Sequence, residues 1–261
     1  MNLDLSGKNA LVCGSSKGLG KATAIELAKL GANITLVARS ANIMAELIHQ
    51  LDRSPGQTHD FLAADFTNRA DLKRKVTGLI TVKTIHILIN NTGGPPAGTI
   101  AESAEDAFLE AFQNHLICNQ LLTQQVVPGM KAAGYGRIIN IVSTSVKQPL
   151  EGLGVSNTVR AAVAGWAKTW SNELAPFGIT MNNVLPGATD TDRLRDLINN
   201  KATKLGVSEA EIIQEMQAEI PMGRFAEASE IAAVVAFLAT PAAGYLTGVS
   251  IPVDGGRIKG L

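Results

Sequence analysis

Hydrophobic and polar positions along the chain follow two periods that take turns. Short apolar runs without polar alternation stand at 8–12, 33–38, 60–64, 85–90, 137–142, 179–184 and 249–253. Two are β-branched almost throughout, Ile85-His86-Ile87-Leu88-Ile89 and Ile138-Ile139-Asn140-Ile141-Val142. A strand apolar on both faces is expected where both faces are covered, as in a parallel sheet. Between these runs, apolar residues recur at helical spacing near 19–30, 41–53, 69–80, 103–133, 156–175 and 228–239. Gly31 follows Leu30 as a helix stop, and Pro128 predicts a kink or an end in the fourth helix. Repeated strand–helix alternation predicts an α/β fold of about seven strands, a parallel sheet with helices on both faces. No repeat, low-complexity tract or linker divides the chain, so a single domain over 1–261 is expected. The segment 189–220 interrupts the pattern with two polar helical stretches, 192–204 and 208–219. It reads either as a lid over a ligand or as a surface helix pair.

In open α/β sheets the ligand lies beyond the carboxyl ends of the strands. The first strand runs straight into Cys13-Gly14-Ser15-Ser16-Lys17-Gly18-Leu19-Gly20, which opens the first helix. Three glycines in a strand-to-helix turn make a phosphate-binding device. Glycine admits positive φ and close approach of an anion, and the helix start offers unpaired N–H groups at the positive end of a dipole. The spacing is GxxxGxG rather than the commoner GxGxxG. Gly14, Ser15, Ser16, Lys17, Gly18, Leu19 and Gly20 are therefore candidate cofactor residues. The other strand ends are small, polar or glycine-rich, as a nucleotide cleft requires: Ala38-Arg39-Ser40, Ala64-Asp65, Asn90-Asn91-Thr92-Gly93-Gly94, Ser143-Thr144-Ser145 and Pro186-Gly187-Ala188-Thr189.

Composition narrows the partners. Of 261 residues 46% are hydrophobic and 18% charged, enough apolar material for a sizeable core. The formal net charge is zero and no basic run appears, which argues against nucleic acid or an acidic membrane as partner. Cys13 and Cys118 are isolated in apolar company and read as reduced core residues, with no metal site. The N-terminus lacks a basic region followed by an apolar one, and no run reaches spanning length. A cytoplasmic protein is expected.

These segments resemble the short-chain dehydrogenase/reductase family, especially members similar to 3-oxoacyl-acyl-carrier-protein reductases, over nearly the whole chain. Cys13 to Gly20 looks like the family's TGxxxGxG with cysteine for threonine, and Asn90-Asn91-Thr92-Gly93 like its NNAG. Asn183-Val184-Leu185-Pro186-Gly187 looks like the segment after strand six. Tyr245-Leu246-Thr247-Gly248 and Val253-Asp254-Gly255-Gly256 look like its C-terminal YxTG and VDGG. The resemblance implies a Rossmann-type doubly wound sheet that binds a nicotinamide dinucleotide. An acidic residue at the end of strand two would bind the ribose 2′-hydroxyl, and here Arg39 stands in that place. With Lys17 in the glycine loop, two cations and no carboxylate suit a 2′-phosphate, so NADP(H) is the expected cofactor. The resemblance also implies that Asp65 holds the adenine amine and that Asn91, Thr92 and Gly93 line the adenosine ribose. Thr191 would reach the nicotinamide amide, with Pro186, Gly187 and Thr189 beside the cofactor.

The family's catalysis rests on an asparagine, a serine and a YxxxK pair. The family pattern laid on this chain reads His115, Ser143, Ser156 and Arg160, so only the serine is retained. A serine hydroxyl is a far weaker acid than a phenol, and an arginine does not give up its proton. The chain's two tyrosines, Tyr135 and Tyr245, fall elsewhere. Three readings are open. In the first, hydride transfer persists with another proton donor, either His115, whose intrinsic pKa suits acid–base work near neutrality, or Lys147 on the loop after Ser143. Arg160 would then hold the nicotinamide ribose. In the second, the chain binds NADP(H) as a sensor or non-catalytic partner. In the third, the cleft carries enoyl reduction or an isomerisation. The apolar loop Gly93 to Gly98, with Met216 and Met222 near the lid, points to a carbonyl or acyl substrate of modest size. Arg193 and Arg195 either grip a carboxylate or phosphate or form a solvated helix face. The apolar stretches 107–130 and 161–175, the latter with Trp166 and Trp170, predict a homo-oligomer, a tetramer or dimer.

Overall fold

A computed structural model describes residues 1–260. Seven strands form one sheet in the order β3-β2-β1-β4-β5-β6-β7, and every neighbouring pair is parallel. They are β1 (Asn9–Cys13), β2 (Asn33–Ala38), β3 (Asp60–Ala63), β4 (Ile87–Asn90), β5 (Gly136–Ile141), β6 (Ile179–Pro186) and β7 (Ser250–Val253). The helices are α1 (Gly18–Lys29), α2 (Ala41–Ile48), α3 (Arg69–Val82), α4 (Glu105–Phe112), α5 (Cys118–Ala133), α6 (Gly154–Leu174), α7 (Asp192–Leu205), α8 (Glu209–Ala218) and α9 (Ala228–Ala239).

Successive strand residues feed two cores, one on each face. Ala10, Val12, Ile34, Leu36, Ile87, Ile89, Ile139 and Ile141 pack with α1, α2 and α9. Leu11, Cys13, Val37, Leu88, Ile138, Ile179 and Met181 pack with α3, α5 and α6. This is why the strands read as unbroken apolar runs. Such a pattern leaves register underdetermined, because a one-residue slip exchanges one apolar face for another. Asparagines remove the ambiguity. Asn90, Asn140, Asn183 and Ser250 are register partners across β4, β5, β6 and β7. Asn90 donates to Asn140 at 2.8 Å, Asn140 to Asn183 at 2.9 Å and Asn183 to the Ser250 hydroxyl at 3.1 Å. Each buried amide left unpaired would cost about 1–3 kcal/mol, so the ladder holds the strand ends level beneath the cleft.

Two expectations change. The helix expected over 103–133 is interrupted by a π turn at Gln113–Ile117, which separates α4 from α5 and turns His115 inward. A single wide turn of this kind often marks a functional position. Pro128 lies inside α5, which runs on to Ala133. The helix expected over 41–53 ends at Ile48. The polar segment 189–220 forms α7 and α8, which bury a small cluster of their own around Leu194, Ile198, Ala202 and Ile212. A capping box between Ser208 and Glu211 starts α8.

Candidate active site

The glycine loop is built so that side chains cannot enter it. Gly14 and Gly18 have φ of +60° and +55°. A Cβ on Gly20 would stand 2.3 Å from the Gly14 carbonyl oxygen, and one on Gly14 would meet Asn91 at 2.7 Å. Asn91 ties the loop to the end of β4 by donating to the Cys13 and Gly14 carbonyls, each at 3.3 Å. Ser15 is fully buried and serves the sheet: its hydroxyl accepts from the Val37 N–H at 2.9 Å. Its side chain is thus committed to holding β1 beside β2. The cradle fits a dinucleotide phosphate, since Gly14, Gly18 and Gly20 carry no side chain and the loop opens α1.

Arg39 is exposed at the end of β2. Asp65 accepts from the Thr67 N–H and hydroxyl, both at 2.9 Å, and these bonds, with Arg39 nearby, hold its carboxyl below the usual range. No carboxylate occupies the end of β2 itself. Lys17 is exposed and pairs with Asp192 at 3.1 Å, joining the glycine loop to the first turn of α7. Thr191, the residue before α7, packs its methyl towards Gly18. Thr189 is buried and bonds the Gly187 carbonyl at 3.1 Å. Gly187 abuts Asp254 so closely that a Cβ would fall 2.7 Å from it. The ends of β1, β6 and β7 thus meet the start of α7 around one cleft.

On the other side of the cleft the structure gathers Thr92, His115, Arg160 and Arg193. The Thr92 hydroxyl and His115 Nδ1 share a hydrogen bond of 2.6 Å. His115 is 3% exposed, and burial, with the Arg160 charge beside it, pushes its pKa down to about 3. At pH 7 this burial favours the neutral ring, which has no imidazolium proton to give. Arg160 donates from Nη1 to the Ile141 carbonyl at 3.0 Å. Its Nε is buried without a partner, and burial followed by the neighbouring Arg193 lowers its pKa to about 10. Arg193 extends from α7 to the Pro95 carbonyl.

Ser143 follows β5, half-buried, its hydroxyl accepting from the Ser145 N–H at 3.1 Å. Lys147 is exposed at the end of the 3-10 turn that begins at Thr144, beside a cavity of about 210 Å³ shared with Gln148, Ile258 and Gly260. Ser156 lies partly buried in the first turn of α6. Gly98 and Leu153 bridge the loop after β4 to the start of α6. Neither tyrosine is near. Tyr135 sits before β5, at the opposite end of the sheet, bonded to the Ala239 carbonyl at 2.6 Å. Tyr245 is fully exposed on the segment leading into β7.

Arg195 is not a cleft cation. It pairs at the surface with Asp190 at 3.0 Å. Met216 joins the cluster under α7 and α8, while Met222 is 68% exposed. Sequence reasoning missed two things: the Thr92–His115 bond, and the meeting of Arg193 with Arg160. Both guanidinium groups come within contact distance of where a Gly94 side chain would start, a meeting that spacing along the chain does not signal.

A family model described as enoyl-(acyl carrier protein) reductase matches residues 14–257. The 3-oxoacyl-[acyl-carrier-protein] reductase FabG of Pseudomonas aeruginosa is 33% identical over 257 residues, 97% of this chain and 98% of the relative. The NADPH-dependent reductase BacG of Bacillus subtilis is 31% identical over 261 residues, 98% of this chain and all of the relative. Among solved structures, L-sorbose reductase from Gluconobacter frateurii, complexed with NADPH and L-sorbose, superposes with a TM-score of 0.92. It is 31% identical, and the match covers both chains in full.

Proposed function

The chain belongs to the short-chain dehydrogenase/reductase family, and from that premise we propose that it is an NADP(H)-dependent carbonyl reductase with a rebuilt proton relay. The observation that carries the reading is the pairing of a bare glycine cradle with a cationic, serine-bearing ledge across one cleft. NADPH-bound and ketoacyl-reducing relatives support it, and they favour catalysis over a binding-only role. Gly14 to Gly20 would cradle the pyrophosphate at the start of α1. Arg39 would grip the 2′-phosphate, and Lys17 would exchange Asp192 for it. Asp65, Asn91, Thr92, Gly93, Pro186, Gly187, Thr189 and Thr191 would line the remainder.

NADPH, when bound, supplies the hydride. The chain's own residues do the rest. The Ser143 hydroxyl donates to the carbonyl oxygen, and the Arg160 cation stabilises the negative charge that develops there. His115, neutral and bonded to Thr92, positions the π turn against α6 rather than moving a proton. On this reading Ser156 takes the place of the family's tyrosine and leaves room for water. The proton that completes the alcohol comes from solvent, and Lys147 on the adjoining turn exchanges it. The balance is ketone plus NADPH plus a proton giving alcohol plus NADP⁺. We further propose that α7 and α8 act as a lid, that the chain forms a homo-oligomer, and that it works in the cytoplasm.

The test is NADPH and NADH titration by fluorescence, followed by turnover on a panel of ketones and 3-oxoacyl thioesters. Tight NADPH binding with turnover is expected. Binding without turnover on any member would sink the enzyme reading. A clean monomer by light scattering at micromolar concentration would remove the oligomer.

A further inference from the structure

Gly94 lies between two guanidinium groups. A Cβ there would stand 3.7 Å from Arg160 Nη2 and 3.6 Å from Arg193 Nη2. Each arginine spends one N–H on a backbone carbonyl, Ile141 and Pro95, and the buried Nε of Arg160 has no partner. Among the described residues no carboxylate pairs with either group. Of the acids nearest Arg193 in sequence, Asp190 pairs with Arg195 and Asp192 with Lys17, and Asp196 makes no ion pair with it. Arg160 is half-buried and Arg193 exposed, and an anion between the two like charges would relieve their repulsion. A planar carboxylate matches the guanidinium fork.

We propose that Arg160 and Arg193 form a seat for a carboxylate carried by the substrate, which makes the substrate a keto acid. This rests on the carbonyl-reductase reading above. The seat is separate from the cofactor's phosphates. The glycine loop follows β1, whereas Arg160 is fixed to β5, two strands away in the sheet and so about 10 Å across it. The charge count also explains why there are two cations. One carboxylate neutralises one guanidinium and leaves one positive charge for the alkoxide that forms at the carbonyl.

The experiment compares matched keto acids and their methyl esters, by NADPH oxidation and by isothermal titration into the NADP⁺-loaded protein. A charged hydrogen-bonded contact is worth about 10–100-fold, so acids should be preferred over esters by that factor in kcat/KM and in affinity. Arg193→Gln should collapse the acid-to-ester ratio towards one. Gly94→Ala should do the same without removing a charge, because its methyl occupies the seat at ordinary contact distance from both groups. Esters reduced as well as acids would overturn the seat while leaving the reductase reading intact. If no carbonyl is turned over, the reductase reading falls and titration still decides the seat: equal affinity for acid and ester, or no heat from either, overturns it. A phosphopantetheine thioester bound in strong preference to every keto acid, with the preference lost in Arg193→Gln, would assign the pair to a phosphate instead and overturn the carboxylate.

Discussion

Arg137 and Arg160 are inner arginines at opposite ends of the same strand, and they are treated differently. Arg137, in β5 and 5% exposed, gives Nε to the Thr240 carbonyl at 3.3 Å and Nη1 to the carbonyls of Gly136 and Gly178 at 2.8 and 3.2 Å. It also stacks on the Tyr135 ring, 4.3 Å from its centroid. Arg160 meets the far end of β5 through one carbonyl, keeps a buried Nε unpaired, and faces a second guanidinium. Burial lowers the pKa of both. The first charge is satisfied by the fold. The second is left for something that binds. A buried charge with its full set of partners stabilises structure, and one without them signals a site.

The sharpest break of that contrast is Arg160→Met. On the proposed mechanism kcat/KM should fall about 10³-fold, the scale of losing one transition-state charge contact, while the melting temperature stays level or rises because a repelling half-buried cation is gone. A stability loss as large as that of Arg137 would erase the distinction. Arg137→Met should do the reverse. It strands three carbonyls and costs about 3 kcal/mol in denaturant titration, with activity per folded molecule unchanged.

Next in size is Arg39→Ala on the cofactor side. Removing one charged contact to a 2′-phosphate should raise the KM for NADPH about 10–100-fold and leave NADH use unaltered. A loss shared equally by both cofactors would remove Arg39 from phosphate recognition.

The smallest effect is in pH. His115 has a folded pKa of about 3 against 6.5 for the free side chain. The unfolded chain therefore binds this proton first. The stability that His115 contributes is complete above pH 6.5 and declines as pH falls towards 3, by about 1.4 kcal/mol per unit. Denaturant titrations between pH 7 and 5 should show a shallower slope in His115→Asn than in the parent chain. In the parent, kcat should show no ionisation of His115 between pH 5.5 and 8. If such an ionisation appears and is abolished by His115→Asn, the neutral-ring assignment fails.

Much of the fold was legible because parallel strands covered on both faces cannot hide their apolar runs. The strand expected at 33–38 and the helix expected at 228–239 match the structure end for end. The π turn was not legible, because Gln113 to Ile117 carries the same apolar spacing as the helices on either side of it. The glycine loop was legible as a cradle, since bare backbone is written as glycine. Ser15, read as part of that cradle, turned out to hold β2 through Val37, a bond between residues whose partnership only the sheet creates.

By itself the sequence determined the alternation of strands and helices, the glycine cradle, the cation at the end of β2, and the presence of Ser143 after β5. These follow from residue identity and local spacing. The tertiary structure decided that His115 is buried against the Thr92 hydroxyl, that Lys17 is held by Asp192, and that Arg160 and Arg193, on different helices, meet at Gly94. The reason is physical. A side chain's charge state and partners depend on desolvation and on neighbours brought from distant parts of the chain, and neither is encoded in spacing along it.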